Sequence, residues 1–266
     1  MSRADSVSPV QTVRGQRAAK TGFRSDIEGL RAVAVVAVVL FHAGVPGVGG
    51  GFIGVDVFFV ISGFLITGML WREVSTTGGV RLSRFYGARA RRLLPASATV
   101  GVLTAIGSAI LLSPLELRNV LRDAIACALY VGNYRFAQQA IDYLASDRAP
   151  SPFQHYWSLG VEEQFYLIWP PLIIAAAWLI RRTRHAASST TPYLVVLTLV
   201  AAVSFTASVI TTHVAAPLAF FSLPTRAWQL AAGGLIALTA THWHRLPPLA
   251  AAIAGWTGLA LILTHV

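Results

Sequence analysis

The sequence predicts an all-α protein, a polytopic transmembrane helical bundle of about seven spans, and three observations carry that expectation. Hydrophobic residues make up 55% of the chain and charged residues 12%, about half the charged share of an ordinary soluble protein. The apolar residues fall in runs of roughly 20, the length a helix needs to cross about 30 Å of hydrocarbon. The basic residues lie in short blocks between those runs. A soluble helical core would instead show amphipathic stripes, whereas 194–210 is apolar or small almost all round.

Taken in order, residues 1–24 are polar and Arg-containing without an apolar h-region, and read as a flexible cytosolic tail. The membrane domain is expected over 25–266, with candidate spans at 27–46, 52–70, 93–112, 156–180, 192–213, 224–241 and 247–266. Alternation from a cytosolic N-terminus puts four basic segments inside. They are Arg14, Arg17, Lys20 and Arg24; the 71–92 loop; Arg181, Arg182 and Arg184; and Arg245. The long outer segment 113–155 holds Arg118, Arg122, Arg135 and Arg148. This asymmetry follows the positive-inside rule and predicts a multi-pass protein of the cell membrane with its N-terminus in the cytosol. Within the outer segment, Leu117, Leu121, Ala124, Ile125, Ala128 and Leu129 follow helical spacing, but the apolar run is too short to cross. An interfacial or partly embedded helix is expected there.

Composition also excludes classes of function. The net charge is +10 and 20 of the 21 basic residues are Arg, yet their placement fits topology and contact with membrane lipids, not nucleic acid. Cys127 is the single cysteine, so no intrachain disulfide and no cysteine metal cluster is expected. No P-loop, GxGxxG, HExxH or GxSxG motif occurs, which argues against an ATP-driven pump with its motor in this chain. The chain stops at Val266 inside an apolar run, and C-terminal spans are expected to be missing.

Ionisable residues inside apolar segments are costly unless paired or facing water, and are functional candidates for that reason. The first span carries Arg31 and His42; eleven residues bring both to one helix face, roughly 16 Å apart. Glu28 is placed to pair with Arg31. Plainer readings are an Arg31 that snorkels to the interface and a His42 satisfied by packing. Asp56 opens the second span at a similar expected depth, and the glycines around it make a His42–Asp56 contact feasible. Such a carboxylate would fix the imidazole tautomer and raise its basicity, as general-base work requires; alternatively Asp56 only caps or joins helices. Arg84, Arg89, Arg91 and Arg92, with Phe85 and Tyr86 among them, could grip a phosphorylated ligand or merely anchor headgroups. Glu162 and Glu163 enter the fourth span about 100° apart, so they are not expected to share one partner.

Together these segments resemble the acyltransferase 3 family of membrane-bound O-acyltransferases. The matching pieces are Asp26-Ile27-Glu28-Gly29-Leu30-Arg31 with His42, the run from Gly54 to Leu65, and Arg84-Phe85-Tyr86 with Arg89, Arg91, Arg92 and Pro95. The run from Trp157 to Tyr166 and Thr225-Arg226-Ala227-Trp228-Gln229-Leu230 complete the set. The resemblance covers about residues 24–240. It implies transfer of an acyl group, commonly acetyl from acetyl-CoA, to a hydroxyl of a cell-envelope glycan or related glycoside. Acyl-CoA is then a donor substrate, and no tightly bound cofactor or metal is implied. Arg31 and His42 match the family's paired essential positions; Arg84, Arg89, Arg91 and Arg92 match its basic motif; Glu162 and Glu163 match its acidic one. The fifth motif usually has Glu where this chain has Gln229. Family members are also expected to have more spans, often followed by a soluble hydrolase-like domain.

The mechanism this suggests sets an Arg layer at the cytosolic side against an outer layer of His42, Asp56, Glu162 and Glu163. The Arg cluster binds the donor's phosphates, and His42 serves either as general base or as transient acyl carrier. Asp56 orients or charges His42, and Glu162 or Glu163 positions the sugar. Two rival classes remain at this stage: a transporter or flippase whose embedded charges line a path, and an inactive membrane scaffold.

Overall fold

The computed structural model describes residues 24–141, 150–182, 190–243 and 245–266, and all regular elements among them are helical. Residues 1–23 of the expected tail lie outside the described residues. The helices are α1 (Ser25–His42), α2 (Ile53–Thr77), α3 (Leu82–Leu111), α4 (Pro114–Ala128), α5 (Gly132–Ile141) and α6 (Trp157–Arg182). They continue with α7 (Thr191–Val214), α8 (Ala216–Phe221), α9 (Leu223–Leu238), α10 (Ala240–Trp243) and α11 (Pro248–Thr264). A 3-10 turn, Gln154–Tyr156, leads into α6.

All seven expected spans are helical at their centres, but among the described residues three helices, α2, α3 and α7, are long and apolar enough to cross a membrane. That criterion supports three of the expected seven spans. The reasons are physical. The 18 residues of α1 include Asp26, Glu28 and Arg31. With 16 and 17 residues, α9 and α11 reach about 24–26 Å, short of about 30 Å of hydrocarbon.

A correction concerns the basic motif. The 71–92 segment is not a loop: α2 runs to Thr77, and α3 begins at Leu82. Gly78 ends α2 in the left-handed conformation (φ 76°), a backbone that glycine adopts without penalty. The backbone N–H of Arg81 then donates to Glu73 Oε1 at 3.2 Å, and the Arg- and Ala-rich stretch that follows has high helix propensity.

The core is a packed set of α2, α6, α7 and α9. A Cβ on Gly63 would overlap the backbone of Leu230, and one on Gly233 would overlap that of Val60, so α2 and α9 meet backbone to backbone. Around this seam Phe59, Trp157, Phe165, Tyr166, Trp169 and Phe221 are all buried. Trp157 stands edge-on to Phe59 and is a core residue. Trp169 Nε1 donates to the buried Thr67 hydroxyl at 3.0 Å, which sets α6 parallel to α2. By contrast, α3 runs antiparallel to α6. The Tyr86 hydroxyl reaches the Tyr166 and Leu167 carbonyls at 3.3 and 3.2 Å, while Tyr156 reaches the Ser97 carbonyl at 2.6 Å.

The segment after α3 folds back as a helical hairpin. Ser113 and Glu116 form a reciprocal capping box with Pro114 in the first turn, which starts α4 sharply. At 15 and 10 residues, α4 and α5 are too short to cross, as expected. Their joining turn reaches α6, where Gln164 Nε2 donates to the Tyr130 carbonyl at 2.7 Å and to Asn133 Oδ1 at 2.9 Å. The hairpin therefore folds back along the bundle, with its tip tied to α6.

Candidate active site

His42 ends α1. Its Nδ1 lies 2.8 Å from the Val38 carbonyl oxygen, which can only accept, so Nδ1 carries a hydrogen. In the neutral ring this leaves the lone pair on Nε2, and His42 is exposed. The expected Asp56 partner is not there. Gly51 packs on Ala37 and Gly54 on Ala34, so Asp56 comes level with Ala32, about 15 Å along α1 from His42. The non-helical stretch 43–52 lets α2 begin lower than a tight turn would. His155, in the turn before α6, is instead the titratable neighbour of His42. Burial pushes the His155 imidazole below its ordinary value, and His42 adds to that shift.

Asp56 belongs to a different group. Its Oδ1 accepts from Arg226 Nη1 at 2.8 Å and from Gln229 Nε2 at 2.9 Å. The Arg226 guanidinium also donates to the Phe220 carbonyl at 2.9 Å and lies over the Phe220 ring, 4.8 Å from its centroid. With a neutral amide at position 229, Arg226 has a single carboxylate to balance.

Arg31 pairs with both oxygens of Glu28 at 3.1 Å, as its spacing predicts. The pair borders an open groove of about 380 Å³ lined by Glu28, Arg31, Ala32, Val35, Val36 and Phe58.

The third group overturns the expected layering. Arg89 lies 2.6 Å from Glu163 Oε1 and 4.0 Å from Glu162 Oε2, with its guanidinium 3.4 Å above the Tyr166 ring. One arginine therefore serves both glutamates, because the wide guanidinium fork spans the 100° between them. Glu162 also accepts from the Ser62 hydroxyl, and from Tyr166 at 3.4 Å. Ser62 stands about 14 Å from the start of α2 and about 22 Å from its end. Arg89, Glu162 and Glu163 thus share one level deep within the span and do not lie in opposite layers. Arg84, Arg91 and Arg92 are exposed on α3 and have no ion-pair partner among the described residues. At membrane depth such cations must face water or further protein, not lipid.

The geometry therefore keeps three centres apart: His42 with His155, Asp56 with Arg226 and Gln229, and Arg89 with Glu162 and Glu163. A family model described as an acyltransferase domain matches residues 24–266. The chain belongs to the acyltransferase 3 family. Among its relatives, a peptidoglycan O-acetyltransferase of Listeria monocytogenes is 44% identical over 149 residues, 56% of this chain and 24% of the relative. An O-acetyltransferase of Staphylococcus aureus is 40% identical over 147 residues, 55% of this chain and 24% of the relative. The matches thus span about a quarter of each relative's length. No solved structure matches the chain significantly.

Within this acyltransferase domain, Arg226, Ser62 and Tyr166 lie inside sequence motifs that by themselves point to no role for them. An arginine within an apolar segment needs a carboxylate, which is the signal that points Arg226 to Asp56. His155 and Tyr130 left no comparable sign.

Proposed function

We propose that this acyltransferase domain is part of an integral membrane O-acyltransferase that moves an acyl group, chiefly acetyl, from acyl-CoA to a hydroxyl of a cell-wall glycan. Family membership and relatives named for peptidoglycan O-acetylation support the reaction class. The observation that carries the chemistry is the His42 ring, tied through Nδ1 to the Val38 carbonyl with Nε2 left open.

In one route Nε2 takes the proton of the acceptor hydroxyl as its oxygen attacks the thioester carbonyl carbon. The C–S bond breaks, and the imidazolium proton goes to the departing thiolate. In the other route Nε2 attacks first and the CoA thiolate leaves, taking a proton from water; the acceptor oxygen then displaces the imidazole and gives its own proton back to water. Either way one ester and one thiol are formed. Arg84, Arg91 and Arg92, without an ion-pair partner among the described residues, are suited to the donor's phosphates. Arg89 is not, since two glutamates already occupy it.

The test is the purified chain in proteoliposomes with radiolabelled acetyl-CoA and soluble peptidoglycan fragments. Base-labile label should appear on the glycan, and His42→Ala should cut it by about 10²-fold or more. Label retained on the protein without acceptor selects the carrier route. Glycan movement without ester formation would replace this reading by transport, and unchanged labelling in His42→Ala would remove His42 from the chemistry.

A further inference from the structure

Tyr130 occupies a place that glycine normally takes. At the end of α4 the Val131 N–H donates to the Ala126 carbonyl at 2.9 Å and the Tyr130 N–H to the Cys127 carbonyl at 3.0 Å. This closure needs a left-handed residue between helix and exit, and Tyr130 supplies it with φ 56°. Among the described residues the other positive-φ positions are Gly44, Gly47 and Gly78. A side chain kept where glycine would be less strained directs attention to what that side chain does.

The tip that carries it is firmly held. Gln164 fixes the Tyr130 carbonyl, Asn133 Nδ2 donates to the Phe221 carbonyl at 3.0 Å, and Gly160 leaves room for the turn. The Tyr130 ring is half-buried, and its hydroxyl is in electrostatic reach of Glu163, Arg89 and Tyr156. It makes no hydrogen bond among the described residues. Its neighbours Tyr86, Tyr156 and Tyr166 all do. A phenol with its ring half-buried and its hydroxyl unpaired keeps a donor available to a ligand.

We propose that Tyr130 contacts the acyl donor, its hydroxyl donating a hydrogen bond to an amide carbonyl of the pantetheine arm. The inference rests on acyl-CoA as donor. It follows from the order of levels along α3: Arg84 in the first turn for a phosphate, Arg89 at the level of the hairpin tip that carries Tyr130, and Ser97 at the level of Tyr156, whose ring stands 4.7 Å from His155 on the side of His42. An arm running from the phosphates to a thioester at His42 passes the tip, and its amides are the acceptors it offers.

The experiment is equilibrium binding of CoA and of adenosine 3′,5′-bisphosphate, which lacks the arm, to the purified chain and to Tyr130→Phe. Loss of one hydrogen bond should weaken CoA about fivefold and leave the bisphosphate unchanged. Equal CoA affinity in both proteins overturns the contact. Equal weakening of both ligands overturns it too, by showing a structural effect. Tyr134→Phe, on the exposed side of α5, should bind both ligands as the parent does. If the parent chain binds neither ligand, the donor assignment itself falls, whatever Tyr130 does.

Discussion

Removing Arg89 should destabilise this domain, and a second substitution should give part of that stability back. The cluster holds one guanidinium against two carboxylates, each of the three side chains at most 20% exposed. Arg89→Ala leaves Glu162 and Glu163 facing each other without a cation, and breaking such a buried pair costs about 3–5 kcal/mol. Adding Glu163→Gln removes one of the two charges. Glu162 then keeps its hydrogen bonds from Ser62 and Tyr166, and the unbalanced charge is no larger than in the parent. Unit charges about 4 Å apart interact by about 4 kcal/mol at an effective dielectric of 20, so the double variant should recover about 2 kcal/mol or more over Arg89→Ala. The assay is a double-mutant cycle on unfolding in mixed detergent micelles, with thermal midpoints as a second readout. Additive losses from Arg89→Ala and Glu163→Gln would refute the shared-arginine account, as would a double variant weaker than Arg89→Ala.

The α2–α9 seam supplies another test: Gly63→Ala puts a methyl into the Leu230 backbone, so it should cost about 1–3 kcal/mol or more, seen as a lower thermal midpoint and poorer recovery of folded protein. His155 sets a pH dependence. Its folded pKa is depressed below the ordinary 6.5, so the unfolded chain binds the proton more readily and stability falls as pH drops through 6.5 towards the folded value. His155→Gln should flatten that acid limb in a series of unfolding midpoints, and an unaltered limb would assign it to other groups.

How far the site was legible depends on how far apart in the chain its partners lie. Glu28 and Arg31 are three residues apart on one helix, so helical geometry alone pairs them, and they pair. Asp56 and Arg226 are far apart in the chain, and only the packing of α2 on α9 joins them. A closer candidate, His42, drew the expectation because a short glycine-rich link suggested adjacent helix ends. The same limit explains Arg89. Periodicity puts it on a different face of α3 from Arg84 and Arg91, but does not say that α6 carries two glutamates past that face. The helical class was readable because apolar runs report directly on solvent. The count of helices able to cross was not, because a charged end or a missing turn changes a span without erasing its pattern. The α4–α5 hairpin is legible as an element too short to cross, but its tip depends on Gln164 and Asn133, whose meeting no local signal announces.

Arg31 and His42 lie on α1, which packs mainly on α2 through the small surfaces of Gly51 and Gly54. A continuous helix fixes the interval between them like marks on a ruler. Any sliding or tilting of α1 across the glycines would carry both groups together, leaving their spacing intact while changing what each one faces. The His42 ring and the cation below it would therefore answer to a single mechanical coordinate, and a ligand that displaced one would reposition the other.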